Sequence, residues 1–174
     1  VHFNPNHDPK TGRFTFTTDY QKRAIRAAKT KKDVDDIIST FNEKERKNFG
    51  LNNKNEEYLS IDQGEYVIKR ILLKHKDTPV AFFDLLDDGD TINVALGTRA
   101  GQEYRGKGYA KKAAMKGMKW YEKHAEEFDN KTVIWAPKVG NVASRRLAEK
   151  MGFELDSTSA SKDSEWINYT KRFK

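Results

Sequence analysis

The sequence predicts an α+β fold (mixed α/β) in one domain, with a central, mostly antiparallel sheet of about seven strands flanked by about four helices. Three observations carry that expectation. The stretch from Glu65 to Leu96 is dense in β-branched and aromatic residues and is broken twice by turn formers, as consecutive antiparallel strands are. Runs with apolar residues three and four apart precede and follow it, so helices are available to cover the sheet. The chain has 174 residues with 36% hydrophobic content, enough to bury one proper core and too little for a second full domain.

Taken in order, HFNPNHDPKTGRFTFTT combines turn formers with an alternation at Phe14 and Phe16, and reads as a loop followed by a short strand. From Asp19 the pattern turns helical, with Tyr20, Ala24, Ala27 and Ala28 on one face. A second, separate helix is expected to carry Val34, Ile37, Ile38 and Phe41, with Asp33 as its N-cap and Gly50 as its stop. The segment EYVIKRILLKHKDTPVAFFDLLDDGDTINVAL then gives three antiparallel strands, broken at KHKDTP and DDGD. Its middle strand, VAFFDLL, is apolar enough to be covered on both faces.

Next, Ala110, Ala113, Ala114, Gly117, Met118 and Tyr121 recur at helical spacing and form a narrow face of mainly small side chains, which lets a helix approach a sheet closely. Lys111, Lys112, Lys116, Lys119 and Lys123 fall on its outward side and read as a solvated face. KTVIWAP is a further short strand, and NVASRRLAEKMGF a helix closed by Gly152, after which Phe153 folds back onto the core. Two last strands lie from Phe153 to about Asp156 and within SEWINYTKRFK. Residues 1–18 thus form a leader and first strand, and residues 19–174 the body of the domain.

Composition narrows function by exclusion. With 33 Lys and Arg against 26 Asp and Glu, the formal charge of +7 attracts anions in general, whether nucleic acid, lipid headgroups or a phosphorylated cofactor, and does not choose among them. A Cys count of 0 removes disulfides, thiolate nucleophiles and Cys-ligated zinc together. No apolar stretch approaches the roughly 20 residues of a membrane span, and the N-terminus lacks the apolar centre of a secretory signal, so a cytoplasmic protein is expected. The chain begins at Val1 and not Met, which fits a trimmed or excised piece.

The most informative segment is GQEYRGKGYA, where two glycines one residue apart stand between a strand and a helix N-terminus. Unpaired N–H groups of a first helical turn point outward there, the helix dipole favours negative charge, and glycine lets a diphosphate approach the backbone with no Cβ in the way. Arg105 and Lys107 add positive charge. A glycine-rich turn that merely joins two elements has the same local pattern.

A second motif decides between them. RGKGYA, Arg105 to Ala110, resembles the R-x-x-G-x-G/A signature of the GNAT (Gcn5-related N-acetyltransferase) family, and NVASRRLAEKMGF, Asn141 to Phe153, resembles that family's later N-x-x-S-x-x-L-x-x-K-x-G-F helix, in the right order and directly after a short strand. The resemblance covers roughly Glu65 to Phe173. It implies an acyl-CoA N-acyltransferase fold whose sheet splays open between its fourth and fifth strands, acetyl-CoA as cofactor, and direct transfer of an acetyl group to an amine. On that basis the main chain of Thr98, Arg99 and Ala100 pairs with the pantetheine arm, and Arg105, Gly106, Lys107, Gly108, Tyr109 and Ala110 cradle the diphosphate. Asn141, a good N-cap, is on the same resemblance also expected to touch the cofactor, since an N-cap side chain stands at the mouth of the site.

Many members of the family place an acidic tyrosine after the leucine of the second motif, where this chain has Ala148. Ser144 is the candidate replacement acid, since a branch similar to ribosomal-protein acetyltransferases carries serine at that place; a serine there can equally bond back to the preceding turn. As base, Asp84 interrupts VAFFDLL, where a carboxylate needs a partner or acquires a raised pKa, unless it faces the surface of a half-exposed strand. Glu65 and Glu103 are lesser candidates. His2, His7, His75 and His124 fall in loops or on a charged helix face, and no metal site is expected.

The resemblance implies as acceptor an amine of a small molecule, a peptide N-terminus or a lysine, and no membrane partner is expected. Two other readings remain open: an impaired domain that binds acetyl-CoA without turnover, motivated by Ala148, and a basic nucleic-acid-binding module, which lacks any recognition signature. A brief resemblance of NPNHDPKTGRF to polar leaders of bacteriophage structural proteins suggests a phage source, and so a host cytoplasm.

Overall fold

The computed structural model describes residues 18–58, 66–159 and 163–174. The strand expected at Phe14 and Phe16, the phage-like leader, Glu65, His2 and His7 all lie outside the described residues, as do the side chains of Tyr20 and Ala24.

The two expected N-terminal helices divide elsewhere than at Asp33. Helix α1 runs unbroken over Thr18–Ser39, 22 residues that contain neither Gly nor Pro. Asp33 lies mid-helix, where its carboxylate meets Lys74 Nζ at 3.6 Å. The break comes at Asn42, whose Oδ1 accepts the N–H of Glu45 at 2.8 Å and caps α2, Glu43–Phe49. Gly50, at φ 93°, ends α2 as expected, its N–H turned back to the carbonyls of Arg46 and Lys47.

Strands β1 (Tyr66–His75), β2 (Thr78–Asp87) and β3 (Ile92–Thr98) form an antiparallel meander. Lys76 and Asp77 join β1 to β2 with φ of 48° and 64°, the paired left-handed geometry that matches strand twist in a two-residue hairpin. Strand β2 is buried on both sides, as its apolar run predicts. Phe82 meets Val34, Ile37, Ile38 and Leu51 on one face; Ala81, Phe83 and Leu85 join Ala113, Ala114, Met118 and Tyr121 of α3 (Tyr109–His124) on the other. Gly117 makes that second contact possible, because a Cβ there would stand 2.2 Å from Phe83 Cδ1. The five lysines of α3 face solvent.

The sheet continues through β4 (Val133–Trp135), and α4 (Val142–Lys150) leads by way of Gly152, φ 83°, to the buried Phe153. Among the described residues, strands β5 (Glu154–Leu155) and β6 (Tyr169–Lys171) complete a six-stranded sheet of order β1-β2-β3-β4-β6-β5, against about seven strands expected for the whole chain. The seventh was assigned to the N-terminal stretch, which lies outside the described residues except for Thr18 at the start of α1.

Candidate active site

Only Ile92 with Val133 and Asn93 with Ile134 pair β3 to β4, in parallel. Strand β3 then runs on to Thr98 while the other chain leaves through Ala136 and Pro137, so the sheet splays. A cleft of about 500 Å³ opens there, between the β3 edge on one wall and Trp135 to Pro137 with α4 on the other. Its size is that of an ordinary ligand site.

The direction of the β3 amides follows from two hydrogen bonds. Ile92 N–H donates across to Thr132 O on the β4 side at 3.0 Å, and Arg99 N–H donates to Val80 O on the β2 side at 2.8 Å. Backbone groups alternate along a strand, so Val94, Leu96 and Thr98 turn theirs toward the opening. Three successive donors at Thr98, Arg99 and Ala100 are therefore not what the fold provides. Arg99 N–H is spent on β2, and Ala100 N–H donates to Thr40 Oγ1 at 2.9 Å. All three residues line the cleft, but of their amides that of Thr98 alone turns toward it. The Arg99 side chain is occupied as well, by Pro79 O at 2.7 Å and by the carboxylate of Asp36.

At one end of the cleft lies the glycine loop. Gly101 O and Gln102 O accept the N–H groups of Tyr104 and Arg105, and the chain then passes through Gly106 at φ 67° and Gly108 at φ 73°, left-handed conformations that glycine adopts at little cost. A Cβ built on either glycine meets nothing within 4 Å, so the turn is unsealed. Gly108 is the N-cap of α3 and has no side chain to cap the first turn. The first bond of the helix is Lys112 N–H to Gly108 O at 2.9 Å, which leaves the amides of Tyr109, Ala110 and Lys111 without an intrahelical acceptor. Arg105 and Ala110 line the cleft, whereas Lys107 and Tyr109 border a second depression with His75 and Glu103. Arg105, 68% exposed, reaches across the mouth to within 3.6 Å of Glu45 on α2.

Helix α4 presents its start to the cleft. Asn141 Oδ1 accepts the N–H of Ser144 at 3.3 Å, the expected N-cap. Ser144 Oγ accepts the indole N–H of the buried Trp135 at 3.0 Å and lines the cleft, so its own proton stays available; the alternative bond back to the preceding turn is not formed among the described residues. Ala148 is wholly buried in the core and brings no polar atom.

Asp84 is neither on the surface nor on the cleft. It is fully buried on the α1 face of β2, where Arg70 Nε donates to Oδ1 at 2.8 Å, Arg70 Nη2 to Oδ2 at 2.7 Å, and the Tyr58 hydroxyl to Oδ2 at 2.7 Å. Burial pushes its carboxyl above the usual range, and the bonds from Arg70 and Tyr58 pull against that shift. Arg70 Nη1 continues the chain of bonds to Ala27 O in α1 at 2.7 Å. With both oxygens taken, Asp84 braces α1 and Tyr58 from behind and does not itself line the cleft. Glu103 and His75 lie at the second depression, and His124 Nδ1 is bonded to Trp120 O at 2.7 Å, so none of them reaches the cleft.

The sequence reading passed over the third side of the cleft. Phe41, Glu45, Phe49, Tyr58 and Trp166 stand there, with Asn48 beside them. Glu45 and Phe49, four apart on α2, were the available signal, since that spacing puts both on one face. Among the described residues no group of acidic or histidine side chains could hold a metal ion, and no helix is long and apolar enough to cross a membrane.

Comparison with known proteins accords with this geometry. No curated protein matches the chain. An acetyltransferase from Agrobacterium tumefaciens is 20% identical over 59% of this chain and 59% of its own, with a TM-score of 0.46. A GNAT-family acetyltransferase from Streptococcus pneumoniae is 12% identical over 60% of this chain and 66% of its own, TM-score 0.49. A ribosomal-protein-alanine N-acetyltransferase from Brucella melitensis is 14% identical over 60% and 68%, TM-score 0.45. The chain thus spans 59% and 66% of the length of the first two. The family model described as an acetyltransferase (GNAT) domain matches residues 6–154, most of the sequence and both motifs. The chain belongs to the GNAT acetyltransferase domain family.

Proposed function

We propose that this protein is an acetyl-CoA-dependent N-acetyltransferase that moves an acetyl group directly to an amine. The observation that carries the reading is the splay of β3 from β4 beside an unsealed glycine turn at the start of α3. The residues present fit coenzyme A. Space stands open where Gly106 and Gly108 lack a Cβ, the amides of Tyr109, Ala110 and Lys111 suit a diphosphate, and Arg105 and Lys107 supply positive charge. The turned-out main-chain groups of Val94, Leu96 and Thr98 suit an extended, amide-bearing arm.

Bound there, acetyl-CoA supplies a thioester acyl group. The chain's part is to hold a neutral amine in line with that group, to offer β3 amides to the acyl oxygen, and to return a proton to the departing sulfur. Ser144 is the donor on this reading, its oxygen held by Trp135 and its hydrogen free. The proton released by the amine passes to water in the open cleft, since Asp84 does not line it and both its oxygens are already hydrogen-bonded. We place the activity in the cytoplasm, with the leader's resemblance pointing to a phage source.

Thermal melting tests this. Acetyl-CoA and coenzyme A at a hundredfold excess over Kd stabilise the fold by about 2.7 kcal/mol, roughly 5–10 °C for a domain of this size. Gly108→Glu keeps the fold and loses the shift, since it sets a carboxylate where the diphosphate would lie. A wild-type chain that does not respond to either ligand overturns the reading. The buried Ala148 favours one second reading, a domain that binds acetyl-CoA without turnover; a full thermal response with no thiol released on any amine selects it.

A further inference from the structure

The third side of the cleft carries a substrate class. Phe41, Phe49 and Tyr58 lie near one another in the chain and Trp166 far from them, and each remains partly exposed, unlike Phe82 and Phe83 beneath them. They are held in place: Phe49 stands edge-on to Phe41 at 5.8 Å, to Tyr58 at 4.8 Å and to Phe82 at 5.6 Å. Trp166 packs against the end of α2, its ring 3.7 Å from the position of a Cβ on Gly50.

The wall is more apolar than its composition suggests, because the Tyr58 hydroxyl is turned away into Asp84 at 2.7 Å and shows the cleft only the ring. Glu45 is the single carboxylate lining the cleft among the described residues, set one helical turn before Phe49, and the other charged lining residues are Arg99 and Arg105. A ligand suited to this wall has one positive charge, for Glu45, and an apolar body, for the rings. Aromatic faces also attract an ammonium within about 6 Å, which adds to the carboxylate. Two arginines in the same cleft, although paired with Asp36 and Glu45, disfavour a ligand that carries several positive charges.

We propose that the acceptor is a primary monoamine borne on an aromatic or other bulky apolar group, its ammonium drawn to Glu45 and its body set against Phe41, Phe49, Tyr58 and Trp166. This rests on the acetyltransferase reading for the chemistry, but amine binding can be measured without turnover.

The test is ligand-observed NMR titration of the protein, alone and with saturating coenzyme A, using phenylethylamine, tryptamine, spermine and a glycine-initiated tripeptide. The two arylalkylamines are expected to bind at least tenfold more tightly than spermine or the tripeptide. Glu45→Gln weakens them about tenfold, while the melting shift given by acetyl-CoA persists. Phe49→Leu, which keeps the core filled, lowers the preference for tryptamine over spermine. Equal or tighter binding of spermine or the tripeptide, or a Glu45→Gln variant that binds phenylethylamine as before, overturns the proposal. In either case an intact acetyl-CoA melting shift leaves the acetyltransferase reading standing, and a missing shift is the separate failure of that reading.

Discussion

Arg70 and Asp84 face each other because of one irregularity in the sheet. From the turn at Lys76 and Asp77, a regular ladder would set Arg70 opposite Phe83. The shift between Leu73 and Lys74, beside Pro79, moves the register by one and brings Arg70 opposite Asp84. The need of Asp84 for a partner was legible in VAFFDLL; the partner was not, because a bulge leaves little trace in composition. Desolvation acts against the charged form of Arg70, yet its bonds and attraction to Asp84 hold its pKa above the usual arginine value. Asp84→Ala therefore strands a guanidinium whose side chain is 6% exposed, and is expected to cost about 3–5 kcal/mol, read from the denaturant midpoint. Arg70→Met with Asp84→Leu should recover most of that loss.

Ser144 has two roles that one substitution separates. Ser144→Ala leaves the indole N–H of Trp135, a residue 3% exposed, without its acceptor, at a cost of about 1–3 kcal/mol. If Ser144 returns the proton to sulfur, the same variant lowers kcat by about a hundredfold with a smaller change in KM, and Ser144→Thr restores both. Recovery of stability in Ser144→Thr without recovery of kcat would remove the acid role and keep the structural one.

Among the elements, α3 owes its place to a missing side chain. Gly117 sits on Phe83 so closely that Gly117→Val must push the helix off β2, an overpacking expected to cost about 1–3 kcal/mol in a melting or denaturant experiment. The same helix was the most legible element in the sequence, because small residues at helical spacing describe a close approach directly. Helix α1 was less so. Asp33 is an acceptable cap residue, but Ala27 to Lys32 contain nothing that stops a helix, and the stop came where Asn42 could cap a new one. Strand order was open to reasoning for the β1 to β3 meander, with its short turns, and not for the interleaved β4, β6 and β5, whose pairing spans long connections.

At the scale of the whole molecule, two apolar layers clamp one sheet. α1 and α2 lie over one face and α3 over the other, and the sheet parts where neither layer needs it closed. The glycine turn and α4 could be read as a ligand site because each keeps its residues close together in sequence. The aromatic wall could not: Phe41, Phe49, Tyr58 and Trp166 meet only after the chain has folded, and each alone resembles an ordinary core residue.

The bridge from Arg105 to Glu45 has a consequence for the order of events. It joins a residue of the proposed anion-binding end to the carboxylate of the proposed amine end, so each is partly neutralised by the other while the cleft is empty. A diphosphate that claims Arg105 releases Glu45, and thermodynamic reciprocity then requires the two ligands to favour each other. A surface pair of this kind is worth at most about 1 kcal/mol, so amine affinity should rise up to about fivefold when coenzyme A is present, and the rise should vanish in Glu45→Gln. Initial-rate patterns would then be sequential, with each substrate modestly lowering the apparent KM of the other, so that donor and acceptor recruit one another to the same cleft.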